Sequence, residues 1–251
     1  MLNSLRRMFS RGPAAGDSSV LQAWAQQRGC EFRRVRDGEG CVIDGRQGTQ
    51  AWRIEWGPSQ RDYIDGFELR LLAELDLPKS LQAMVLNRQL MDATEKAVYE
   101  QFVDDVKTRM DTEVPPEMRW LVTYARLGAQ DLGRLSGRYG AVCSLLPWLQ
   151  QWLASPLNDA LAATLDQVPL EQPVVIAISR GRLVLRTAMR KPDLDALVLW
   201  HSVFEHALRE ARRLGTDWRE AAVAGQNTLP SAWQQSELVP AGQPPGDEPT
   251  R

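Results

Sequence analysis

Residues 174–189 read Val-Val-Ile-Ala-Ile-Ser-Arg-Gly-Arg-Leu-Val-Leu-Arg-Thr-Ala-Met, and this stretch decides the fold class. An apolar run ends at Arg180-Gly181, after which Leu183, Leu185, Thr187 and Met189 alternate with Val184, Arg186 and Ala188. Alternation of period two places one set on each side of a strand, and a short glycine-bearing link closes a hairpin. Upstream, Trp52, Ile54 and Trp56 point one way while Arg53 and Glu55 point the other, so residues 50–56 predict a half-buried strand. Residues 30–57, with turns at Asp37 to Gly40 and Gln47-Gly48, read as a meander, and Phe67, Leu69, Leu71 and Ala73 at every second position add a fourth strand.

Helical spacing fills the intervals. Val20, Leu21 and Trp24 form the stripe of a first helix capped at Asp17 or Ser18 and ended by Gly29. Val98, Phe102, Val106 and Met110 mark a second, and Pro115-Pro116 breaks the chain after it. Trp120 to Arg126 fits a strand or a short helix. Leu145, Trp148, Leu149 and Trp152 share one side of a helix; Ser155-Pro156 then supplies an N-cap and a first-turn proline for the next, with Leu157, Leu161 and Leu165 as its stripe. Asp193 opens a long helix with Leu197, His201, Phe204, Leu208 and Ala211 facing inward, and Gly215 suits its end. The expectation is an α+β protein: mostly antiparallel sheet, an N-terminal meander and a C-terminal hairpin, with helices packed on one side.

Three segments follow. Residues 1–16 carry Arg6, Arg7 and Arg11 with no acidic residue, and read as a flexible basic segment, with weak peripheral membrane contact as the alternative. Residues 17–224 form the globular part, one domain or two packed lobes at about 17–112 and 113–224. Residues 225–251, with four prolines among the last twelve, read as a disordered tail.

A net charge of -2 supplies no cationic field for a phosphate backbone, so nucleic acid is not an expected partner. Four lysines among 30 basic residues reflect the codon bias of a GC-rich, bacterial genome. Cys30, Cys41 and Cys143 are odd in number and lack a C-x-x-C, which argues for buried thiols over a disulfide framework or a thiolate metal site. Apolar runs too short to cross a bilayer and an N-terminus without a signal-peptide core make the cytoplasm the expected location by default. If residues 37–40 join adjoining strands, residue 36 faces Cys41 and Cys30 is out of register.

No reaction is legible. His201 and His206 lie five positions apart on a helix and diverge around its axis, so they do not share a metal, and neither a metal nor a cofactor is expected. Gly133-Arg134-Leu135-Ser136-Gly137 misplaces its serine for a nucleophile elbow. Arg134, Ser136 and Arg138, among the four glycines of 128–140, are candidate anion ligands; the alternative makes Gly133, Gly137 and Ala141 the seam of a close helix contact. In the loop 57–68, Asp62, Asp65 and Glu68 could do acid–base work, as could Glu113 and Glu117, although turn aspartates are common. Nine tryptophans are an excess, and Trp148, Trp152 and Trp233 are candidate interface residues. The leading expectation is a non-enzymatic protein-interaction or adaptor module with a protein partner. The alternative is a small-ligand or anion-binding protein, or an enzyme, using 128–140 or 57–68. Nothing in the residues sets an oligomeric state.

Overall fold

The computed structural model describes residues 18–36, 39–104 and 115–226. The basic segment, the 225–251 tail with Trp233, and Val106, Met110 and Glu113 lie wholly or almost wholly outside them. The chain divides into two compact units, Met1–Gly215 and Thr216–Arg251; the described part of the second is helix through Gln226.

Among the described residues, one antiparallel sheet of nine strands forms the frame. Its strands are β1 Glu31–Arg34, β2 Cys41–Gln47, β3 Gln50–Pro58, β4 Phe67–Glu74, β5 Ala83–Asn87, β6 Ala125–Arg126, β7 Tyr139–Cys143, β8 Val174–Ser179 and β9 Arg182–Ala188. Their order across the sheet is β1-β2-β3-β4-β9-β8-β5-β7-β6. The β8–β9 hairpin therefore inserts between β4 and β5, and meander and hairpin share one sheet rather than founding lobes that part near residue 112. The hairpin link has positive φ at both residues, 52° at Arg180 and 75° at Gly181, with Ser179 paired to Arg182. That is the twist-matched two-residue turn, in which the first position favours Gly, Asn or Asp over arginine.

Among the described residues, seven helices accompany the sheet: α1 Ser19–Gln27, α2 Arg88–Asp104, α3 Trp120–Thr123, α4 Ala129–Leu132, α5 Leu146–Leu153, α6 Pro156–Ala162 and α7 Leu194–Gln226. The first face of the sheet carries Trp52, Ile54 and Trp56, all buried, with Leu69, Leu71, Leu185 and Ile176 fully so. His201 of α7 meets the Trp52 ring at 4.9 Å, and Trp152 of α5 donates to the Ala207 carbonyl of α7 at 3.0 Å, so α7 is the spine of the covering layer. Asp193 starts α7 by accepting from Ala196 N at 3.0 Å, and the Ser155 hydroxyl caps α6 by accepting from Leu157 N.

Several expectations need correcting. α7 runs past Gly215, whose missing side chain makes room for Leu77: a Cβ there would lie 2.6 Å from Leu77 Cδ2. Gly133 opens a 3-10 turn, Gly137 lies in the following turn and Ala141 is in β7, so these three form no helix seam. Arg34, not residue 36, faces Cys41, and the same register carries on into the link, where Val35 N donates to the Gly40 carbonyl at 3.2 Å. Trp120 to Arg126 is helix and then a two-residue strand.

The second face matters most for function. The register threads one row of side chains across it: Arg53, Leu72, Val184, Ala177, Met84 and Val142 on six successive strands. A parallel row runs Glu55, Arg70, Arg186, Val175, Leu86 and Gly140. One end of this face is thus ionic and the other apolar. The apolar end is closed by Met91 of α2 and by Met118, Trp120 and Leu121 of the segment formed by the 3-10 turn Pro116–Arg119 and α3. This cap adds to the helical layer on the first face.

Candidate functional site

The cleft lies where the cap stops. It encloses about 580 Å³ on the second face, between the ionic end of the sheet and the Pro116–Thr123 cap. Leu72 and Val184 form its floor with Ala177 and Val175; the first two remain half-exposed because the cap ends before it reaches them. Trp120, Glu117 and Gln82 make one wall, and the Tyr124 hydroxyl bonds the Gln82 amide oxygen. Arg61, Arg180, Arg182 and Arg186 stand around it.

Most of these guanidiniums are already engaged. Arg61 forks onto Glu117, with Nε 2.5 Å from Oε1 and Nη2 3.3 Å from Oε2. Burial opposes the Arg61 charge, but the Glu117 carboxylate more than offsets it, so the guanidinium pKa rises. Tyr63 donates to Glu117 Oε1 at 3.4 Å, and burial, with that carboxylate second, pushes its phenol pKa up. Arg186 Nη1 lies 2.9 and 3.1 Å from the two oxygens of Glu68, which is wholly buried. Arg70 joins the same carboxylate at 3.0 Å and reaches Glu55 at 2.9 Å, while Gln60 N donates to it at 3.1 Å. A buried carboxylate with three donors is satisfied and holds the β4 and β9 guanidiniums in fixed positions. Arg182 pairs with Glu74 at the exposed edge. Arg180 is different: it is exposed, and among the described residues no carboxylate lies in ion-pair range of it.

The residues singled out in the sequence fall elsewhere. Arg134 is exposed and pairs with Asp159 of α6; Ser136 is half-buried in a turn; Arg138 is buried, its Nη2 donating to the Pro169 carbonyl. None of the three lines the cleft on the second face. Trp148 and Trp152 are 2% and 0% exposed, with ring centroids 5.3 Å apart, so both are core and neither presents a ring to a partner. Asp62 and Asp65 are exposed; the loop's contributions to the cleft are instead Arg61 and, beneath it, Glu68. In the sequence Arg180 reads only as a turn residue and Arg186 only as an alternating residue of the hairpin.

The reactive side chains lie away from the cleft. His201 sits between Trp24 and Trp52, with centroids at 5.0 and 4.9 Å, and its Nδ1 is 3.6 Å from Glu205 Oε2. Burial, then the Arg28 charge, lowers its pKa to about 4, so it is neutral near pH 7. Burial raises the Cys41 thiol to about 11 and the Cys143 thiol as well, which disfavours the nucleophilic thiolate. Among the described residues, no cluster of three or more His, Cys, Asp or Glu could hold a metal ion. Among them, too, no helix is long and apolar enough to cross a membrane.

Fold and cleft together define an α+β protein with one antiparallel sheet, helix-covered on its first face and opening on its second into an arginine-rimmed cleft. No protein-family model matches the chain, and no curated protein matches it. Among solved structures, the crystal structure of the mycobacterial trehalose monomycolate transport factor A, TtfA, is similar with a TM-score of 0.44 and 8% identity, covering 78% of this chain and 93% of that one.

Proposed function

We propose that the protein is a non-enzymatic interaction module, an adaptor working in the cytoplasm, and that the cleft on the second face of the sheet receives its protein partner. The composition of the cleft carries this reading. Of its twelve lining residues five are apolar and five charged, four of those arginines. Small-molecule sites are mostly apolar with a few polar groups, whereas protein interfaces pair an apolar centre with a polar rim and favour Trp and Arg. Neither a cysteine nor a histidine lines it. Leu72 and Val184, each only partly exposed, supply the apolar centre; full burial from full exposure is worth about 1.5–3 kcal/mol, so covering what remains of each adds less than about 1 kcal/mol. The cytoplasmic assignment is supported by the three unpaired cysteines.

Selection from a random peptide library displayed on phage, with the full chain immobilised, tests the reading. Enriched peptides that lose binding to Val184→Lys, a variant checked for unchanged thermal melting, are the expected result. No enrichment, or peptides that bind this variant as well as the parent, contradicts it.

A further inference from the structure

Arginine is a costly choice at position 180. The residue holds φ 52° at the first position of the hairpin link, where glycine or asparagine relieves the strain a Cβ brings. Its side chain offsets none of that strain within the described residues, because it has no ion-pair partner there. The neighbouring guanidiniums differ: Arg61, Arg182 and Arg186 each hold a carboxylate of this chain, Glu117, Glu74 and Glu68 in turn. One unspent cation therefore stands at the rim, beside a floor of Leu72, Val184 and Ala177.

Resting on the reading of the cleft as a partner site, we infer that its occupant is an acidic peptide segment of a partner protein, seating an aliphatic or aromatic side chain on the floor and a carboxylate on Arg180. A neutral segment would cover Arg180 without replacing the water it loses, and a basic one would add to the one guanidinium charge at the rim that no described carboxylate of this chain offsets. An anionic membrane surface has the right charge, but a planar headgroup layer offers no single side chain to fill a cleft of about 580 Å³.

The test uses a fluorescein-labelled octapeptide alternating Asp with Leu and Phe, its Asn-for-Asp counterpart, and phosphatidylserine vesicles, each titrated against the full chain. The acidic peptide is expected to bind about tenfold more tightly than the Asn peptide and to weaken as salt rises. Arg180→Gly is expected to lower the acidic peptide's affinity about fivefold and leave the Asn peptide's unchanged. Because glycine suits the left-handed backbone, this variant should melt no lower than the parent, which separates lost binding from lost folding. Equal affinity for the two peptides, or an Arg180→Gly variant that binds like the parent, overturns the acidic assignment while the cleft reading stands if Val184→Lys still abolishes binding. Failure of both peptides, or binding of vesicles alone, overturns both.

Discussion

A Cβ built on Gly45 would lie 2.2 Å from the indole of Trp52, its cross-strand partner: the ring fills the space that any larger side chain at position 45 would need. Trp52 is in turn held from the other side by His201 and lies 6.4 Å from Trp24, so it has nowhere to retreat. Gly45→Ala is therefore expected to cost about 2 kcal/mol, read as a lowered urea midpoint. Gly140→Ala makes the control. Its Cβ would come equally close, 2.2 Å, to Met91 Sδ, but a thioether side chain can move aside, so the loss should stay below about 1 kcal/mol. Equal losses would mean that the Trp24–Trp52–His201 stack is looser than its geometry.

Acid should weaken the fold through His201. Its folded pKa, about 4, lies below the ordinary 6.5, so the unfolded chain takes up the proton first and stability falls as pH drops from 6.5 towards 4. At about 1.4 kcal/mol per pH unit the loss approaches about 3 kcal/mol. The Glu205 carboxylate at 3.6 Å is the group positioned to reduce it. Urea unfolding of His201→Phe should show a distinctly shallower decline over that window; a slope matching the parent's would assign the acid sensitivity to other groups.

Removing the Glu68 charge should harm folding more than removing a surface partner. Glu68→Gln leaves Arg70 and Arg186 facing each other with less than a full counter-charge in a buried setting, with an expected cost of about 3 kcal/mol. Asp159→Asn, which breaks only the exposed contact with Arg134, should change stability by less than about 0.5 kcal/mol. Thermal melts of the two variants compare them directly, and similar shifts would contradict the picture of a buried ionic anchor under the cleft.

What the sequence revealed depended on whether a strand has one wet side. β3, β4 and β9 alternate because their second-face residues reach solvent or ions, and the alternation was readable at Trp52, Leu69 and Leu183. β5 and β7 are buried at all five positions, covered by helices on both sides, so no alternation existed to read. In the sequence Gly140 counts only among the glycines of 128–140, although its absent side chain is what admits Met91. The tryptophan surplus misled for a related reason: Trp148 and Trp152 are spent inside the core, where Trp152 has the Ala207 carbonyl as acceptor. The cleft itself draws on Arg61, Leu72, Glu117, Ala177 and Arg180, which only the insertion of β8–β9 beside β4 brings together.

Hydrogen–deuterium exchange of the full chain, with and without a library-selected peptide at saturation, tests the cleft most directly. Bound peptide should slow exchange in the β8–β9 hairpin around Ser179 to Val184 and in the cap from Glu117 to Leu121, and leave α5 and α6 as they were. Protection confined to the α5–α6 side or to the β1 edge, with the hairpin and cap unchanged, would place the partner surface elsewhere and contradict the account.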